Sequence, residues 1–362
     1  MFLKTFGWSF AVTLIALIVS YFWFHPAGFV IVAMLIVLEV SLSFDNAVVN
    51  AKILKRMNRF WQSIFLTVGV LIAVFGMHLL FPVLLVSATA GMTPLEAIRL
   101  ALAGGHVETP GTYAYLVNAA HPAIAGFGGM FLMMLFLDWL FEEKEYHWLV
   151  VLERPLQRIG KLDQLSVVVA LSALATAAYT LAEPGYRAEV LVSGVLGVIT
   201  YLLVGGLGNL FEGAGEDDDV ESRPTAGQSA AAAGRAGFFL FLYLEVLDAS
   251  FSFDGVIGAF AITQDIFVIM IGLGVGAFWI RSLTVYLVRK GTLDNYVYLE
   301  HGAHWAIGAL ATILLVTIRF EVSEVVTGLI GVVFIGLAFL QSVARNRRLD
   351  RDPGHHHETI EV

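Results

Sequence analysis

Apolar residues in this chain come in long runs rather than in alternation with polar ones. Stretches at 6–24, 29–50, 63–87, 124–141, 165–181, 190–210, 237–262, 267–288, 301–318 and 322–343 carry few charges. As helices rising about 1.5 Å per residue, they are long enough, or nearly so, to cross a hydrocarbon core about 30 Å thick. A membrane barrel would instead show polar and apolar residues alternating in segments of about ten, and that pattern is absent. The prediction is an all-α polytopic membrane protein of about ten transmembrane helices. FHPAG at 24–28 reads as a tight turn between the first two. The first run is long and has no small-residue cleavage site before the second begins, so it reads as a retained helix rather than a removed signal.

Composition agrees with the pattern: 58% of residues are hydrophobic and 14% charged, with mean hydropathy +0.80, outside the range of soluble domains. There is no cysteine, which excludes disulfides and thiolate metal sites. The net charge is −9 and the basic residues gather at helix ends rather than along one face, which excludes nucleic acid as a partner. Those basic residues instead report topology. Lys52, Lys55, Arg56 and Arg59 follow the second run; Lys144, Arg154, Arg158 and Lys161 the fourth; Arg289 and Lys290 the eighth; Arg345, Arg347, Arg348 and Arg351 the tenth. The positive-inside rule makes these loops cytoplasmic. The expectation is a multi-pass protein of the plasma (inner) membrane with both termini inside and the lipid bilayer around it.

Four regions follow: a membrane half at 1–211, an acidic flexible linker at 212–236 containing EDDDVES, a second membrane half at 237–344, and a tail at 345–362. The external loop 88–121 holds TPLEAIRLALAGG, in which Thr93 and Glu96 form a capping box, Pro94 is the first helical residue and Gly104 ends the turn. His355–His357 in the tail read as solvated rather than as a metal site.

Two apolar runs carry acids. LEVSLSFDNAVV at 38–49 and LEVLDASFSFDGVI at 244–257 align on Phe-Asp, with Glu39 over Asp248, Asp45 over Asp254 and Asn46 over Gly255. The copies lie on the second and seventh helices, which cross the membrane in opposite directions, as in an inverted repeat of two three-helix halves. Each buried acid costs about 2.5–3.5 kcal/mol on the insertion scale, so Glu39, Asp45, Glu245, Asp248 and Asp254 need something to offset them. Arg281 and Arg319 are the only notable bases in the apolar runs, and both read as lying near helix ends. A bound cation, protons or both are the remaining candidates. Carboxylates, Asn46, serine hydroxyls and backbone carbonyls are hard oxygen donors suited to Mg²⁺, Ca²⁺ or Mn²⁺. Acids six residues apart on a straight helix are about 9 Å apart along the axis, too far for one ion. Ser41, Ser43, Ser250, Ser252 and Gly255 therefore predict local unwinding in both copies.

At these motifs the chain resembles the TerC family, within the LysE-like transporter superfamily. The first half has its E-x-x-L-S-x-D-N pattern as Glu39, Leu42, Ser43, Asp45 and Asn46, and the second half has Glu245, Asp248 and Asp254. Gly255 stands where many relatives have serine. The resemblance implies efflux of divalent manganese, and of calcium as a second candidate, with Glu39, Asp45, Asn46, Glu245, Asp248 and Asp254 as metal ligands. Protons are the expected counter-ion, and no enzyme activity is expected. An intramembrane aspartyl protease is disfavoured because Phe44 and Phe253 precede the aspartates where such enzymes have glycine; an assembly or stress-resistance factor is the main alternative. Outside the motifs, Glu300, His301 and His304 read as an interfacial hydrogen-bonded cluster, with a proton relay or ion entry as the alternative. Asp138 reads as boundary chemistry and His78 as a packing residue.

Overall fold

The computed structural model describes residues 2–80, 83–84, 86–87, 90–160, 162, 164–213, 226–263, 265–290 and 296–351. All regular structure among them is helical. Thirteen α-helices follow in order: α1 Phe2–Leu42, α2 Phe44–Arg56, α3 Arg59–Leu71, α4 Pro94–Ala103, α5 Tyr113–Ala119, α6 His121–Phe141, α7 Val150–Ile159, α8 Leu165–Thr180, α9 Arg187–Gly213, α10 Ala226–Ile262, α11 Ile266–Lys290, α12 Leu299–Thr317 and α13 Glu324–Arg351. A π-helical segment, Ile72–Leu80, continues α3.

Among the described residues, the ten apolar runs fall on helices, the second of them divided between α1 and α2 at Ser43. Seven helices among the described residues are long and apolar enough to cross a membrane by length and composition. The difference from ten has three sources. α8 has only 16 residues, and the apolar part of α10 carries Glu245, Asp248 and Asp254. The third source is α1, which holds two runs. As a straight rod its 41 residues would span about 60 Å, twice the membrane core. Its contacts with α11 show that it is not straight. Phe6 packs on Tyr286, Ser9 Oγ meets Ser282 Oγ at 2.7 Å, and Trp279 Nε1 donates to Thr13 Oγ1 at 2.8 Å, so residues 2–24 run antiparallel to α11. Leu35 packs at Gly272 and Glu39 at Gly276, so residues 26–42 run parallel to it. The chain reverses at His25, whose φ of 63° and ψ of −178° are non-helical and which precedes Pro26; this is the turn predicted at FHPAG.

α6 is the most enclosed of the spanning helices and packs on α9 and α12. Peripheral helices turn large apolar side chains outward, Trp8 (73% exposed) and Trp23 (77%) among them. In water such a surface would be an anomaly, but around a polytopic bundle it is the lipid-facing side. Ahead of the helix α4, the capping box forms as predicted: Glu96 N–H donates to Thr93 Oγ1, and Thr93 N–H to Glu96 Oε2. Gly104 follows in the positive-φ region at 67°.

Two expectations need correction. The linker is shorter than 212–236, because residues 226–236 are already the first turns of α10 and 212–213 the last of α9; residues 214–225 lie outside the described residues, as do His355–His357. Secondly, only the first motif is broken. Ser43, at φ −97° and ψ 14°, separates α1 from α2, whereas α10 runs unbroken through Ser250, Ser252 and Gly255. Ser250 Oγ donates to Val246 O at 3.0 Å, and such back-bonding satisfies a serine without unwinding its helix. Ser43 Oγ instead donates to the Glu39 carboxylate at 2.8 Å.

Candidate functional site

The two motifs meet in the middle of the bundle, antiparallel to one another. Asn46 and Asn50, one helical turn apart on α2, each donate from Nδ2 to Asp248 Oδ1 at 2.8 Å. Toward the other end Glu39 lies beside Gly255, where an added Cβ would stand 2.8 Å from Glu39 Oε2. Under the motif alignment, Glu39 against Gly255 and Asp248 against Asn46 are the same contact made twice, as a two-fold axis in the membrane plane requires. Seven residues of unbroken helix separate Asp248 from Gly255, about 10 Å, so the centre has two ends rather than one point.

At the α2 end, the second motif is neutralised from within the protein. Arg281 is only 4% exposed and lies fifteen residues into α11, not at its terminus, which corrects the sequence reading. Its Nη2 donates to Asp248 Oδ2 at 2.5 Å and to Glu245 Oε1 at 3.4 Å. The guanidinium also donates to the carbonyls of Phe65 at 3.3 Å and Gly69 at 3.1 Å and lies 3.6 Å over the Phe65 ring. Glu245 and Asp248 share a face because they are three apart on one helix, and Arg281 reaches both. Gly69 makes room for this, since a Cβ there would fall 2.6 Å from Glu245 Oε1 and 3.0 Å from Arg281 Nη1. Its position just before the π-helical segment fits the tendency of such segments to occur at functional sites.

At the other end Glu39, 1% exposed, receives Ser43 Oγ on Oε1. Its Oε2 has no hydrogen-bond partner among the described residues, and the same holds for Asn50 Oδ1 and Glu245 Oε2. Gly276 lets α11 pass against the Glu39 side chain, whose Cβ and Cγ occupy the place a side chain at 276 would take. The structure thus brings Asn46, Glu245 and Asp248 together around Arg281 and sets Glu39 apart from them. Asp45 and Asp254 lie on helical backbone, but their side chains, like that of His78, are outside the described residues. Among the described residues no group of three His, Asp or Glu side chains is placed to hold a metal ion. Arg281, Asn50, Gly69 and Gly276 were not among the predicted site residues. Asn50 was legible as the residue one turn after Asn46.

A cavity of about 440 Å³ with a mixed wall, in which Lys52, Arg56, Asp138 and His304 stand among apolar groups such as Ile53 and Leu135, lies on the next turns of α2 beyond Asn50. Asp138 belongs to this cavity wall and not to the motif centre. Beside Glu245, a second cavity of about 380 Å³ is walled by apolar groups including Ile72, Phe127, Phe241 and Leu314. The Glu300, His301 and His304 cluster ties α12 to its neighbours, with one bond inside the helix itself. Glu300 pairs with Lys52 Nζ at 2.5 Å, His304 Nδ1 donates to Glu300 O at 2.8 Å, and His304 stacks on Trp139 with ring centroids 4.6 Å apart. His301 Nδ1 lies 3.2 Å from Glu153 on α7. Glu153 also accepts from Trp305 Nε1 and from the backbone N–H groups of Trp148 and Leu149. Burial alone would raise the Glu153 pKa, but the His301 and Trp305 hydrogen bonds and the His301 charge outweigh it and lower it from 4.5 to about 2.

Fold and centre together define a polytopic helical membrane protein with a buried acidic centre at the crossing of two inverted helices. The chain belongs to the family described as "Protein of unknown function (DUF475)", whose model matches residues 44–349. That span covers the second acidic motif, Arg281 and the part of the first motif from Phe44 onward, and begins after Glu39. No curated protein and no solved structure matches the chain.

Proposed function

We propose that the protein exports a divalent cation, manganese foremost, across the plasma membrane in exchange for protons. The observation that carries this reading is Glu39: a fully buried carboxylate with one oxygen lacking a hydrogen-bond partner among the described residues, placed where two inverted acidic motifs meet. Leaving such an oxygen bare is costly unless something else fills the position. A hard cation is suited to it, with Ser43, Asp45 and Asp254 close by in sequence or in the paired motif. The TerC-like pattern of the first motif favours manganese over magnesium, with calcium next. Five carboxylates against one buried arginine leave more negative charge than a single divalent ion removes. A low-dielectric centre then needs protons when the ion leaves, which makes proton exchange the natural counter-reaction. Cytoplasmic placement of Lys52, Arg56, Arg154 and Arg158 follows the positive-inside rule, and the cavity that Lys52 and His304 help to line is then the inward-facing mouth.

Elemental analysis of cells with and without the gene tests this. Overproducing cells are expected to hold less manganese and to survive added manganese better. Unchanged manganese, calcium and magnesium would overturn the exporter reading and favour a role in membrane-protein assembly.

A further inference from the structure

The two ends of the acidic centre differ in what neutralises them. At one end Asp248 and Glu245 share a buried guanidinium, and Asp248 also receives two amide donors. An unpartnered oxygen is found at both ends among the described residues, Glu39 Oε2 and Glu245 Oε2, but Glu39 has a single hydroxyl donor and no basic side chain among its described partners, and two glycines, Gly255 and Gly276, stand against it. We propose that Arg281 is the resident cation of the second motif, so that the transported ion is held at the Glu39 end and Asp248 and Glu245 are not its ligands. This rests on the transport reading and sharpens it from six candidate ligands to a one-sided site.

Three features fix Arg281 in that role. Its guanidinium is held by two backbone carbonyls and an aromatic face as well as by the acids, so it is anchored on α3 whether or not the carboxylates are occupied. Its planar fork suits carboxylate pairing better than a bare ion would in the same space. An ion bridging Asp248 and Glu245 would have to stand where the guanidinium stands, and a like charge at that distance is strongly repelled in a low-dielectric interior. Gly255, where the first motif has Asn46, leaves Glu39 without the amide that Asp248 receives.

The full chain, reconstituted in sealed vesicles with Mn²⁺ as probe, tests the assignment through four variants. Glu39→Gln is expected to lower Mn²⁺ flux at least 100-fold. Asp248→Asn is expected to stay within about fivefold of the parent. Arg281→Gln alone leaves two buried acids uncompensated and is expected to lose at least tenfold and to melt lower. Combining it with Asp248→Asn restores the net charge around Glu245, and most of the lost flux and melting temperature are expected to return. A folded Asp248→Asn, or a folded double variant, as inactive as Glu39→Gln would make Asp248 a ligand and overturn the assignment. An Arg281→Gln chain with unchanged flux and melting temperature would overturn it as well. Parent vesicles without Mn²⁺ flux would count against the exporter reading instead. The melting temperatures would then still decide the charge pairing, because failure of the double variant to recover over Arg281→Gln refutes it.

Discussion

Glu39 and Asp248 occupy equivalent positions in the two motifs, yet Asp248 takes donors from Asn46, Asn50 and Arg281 while Glu39 takes one from Ser43. The helices that carry them differ in the same sense. The Glu39 helix is interrupted at Ser43, whose hydroxyl is turned to the carboxylate, and the Asp248 helix is continuous, its serine bonded back to its own backbone. A duplicated acidic pattern therefore does not imply duplicated chemistry. One copy has acquired a protein cation and full satisfaction of its aspartate, and the other has neither a basic partner nor an amide donor among the described residues.

The comparison can be broken hardest at its symmetric positions. Asp45→Ala and Asp254→Ala are each expected to abolish Mn²⁺ flux, by at least about 100-fold, while the protein still reaches the membrane, since removing an intramembrane charge eases insertion by about 2.5–3.5 kcal/mol. Vesicle flux beside immunoblotting of the membrane fraction checks this, and normal transport by both variants would remove the motifs from the transport path. Next in size, Arg281→Ala leaves Asp248 and Glu245 buried without their cation, a loss of about 3–5 kcal/mol for a broken buried pair; thermal unfolding in detergent reads it. An unchanged melting temperature would mean that the pair is not formed.

Much of this was legible in the residues. The ten runs, the reversal at FHPAG and the Thr93–Glu96 cap come from local patterns, and local patterns decide helix length and capping. Arg281 was visible too, but a position in a run says how deep a residue lies and not which neighbour it meets. Only the packing of α11 on α3 and α10 brings its guanidinium to Glu245 and Asp248. The unbroken second motif was misread for a related reason: serines and a glycine permit unwinding, and whether it happens depends on what the neighbouring helices offer.

Gly255→Asn sharpens the comparison further by giving the first-motif end the amide that the second already has. The new side chain would crowd Glu39 Oε2 and compete for it, and Mn²⁺ flux is expected to fall about tenfold, or about 1.4 kcal/mol. Flux equal to the parent's would mean that Glu39 Oε2 is not where the ion is held. Glu153 is the control, a buried acid with a full set of donors far from both motifs. Glu153→Gln is expected to destabilise the fold by about 1–3 kcal/mol with little change in flux per folded molecule. Its pKa is lowered in the folded chain, so its contribution is fully present above 4.5 and is lost as the pH falls from there toward 2. Melting temperature against pH reads this as a slope in the parent that is weaker in Glu153→Gln; equal slopes in the two would remove Glu153 as the cause.

The central claim is that the inverted acidic centre exchanges a divalent cation for protons. Its most direct test is Mn²⁺ movement in sealed vesicles under an imposed proton gradient, without sodium, with internal pH followed at the same time. The gradient is expected to drive Mn²⁺ across the membrane with protons moving the opposite way, and Glu39→Gln to abolish both signals together. Mn²⁺ that stays in place, or that moves at a rate indifferent to the proton gradient, would contradict it.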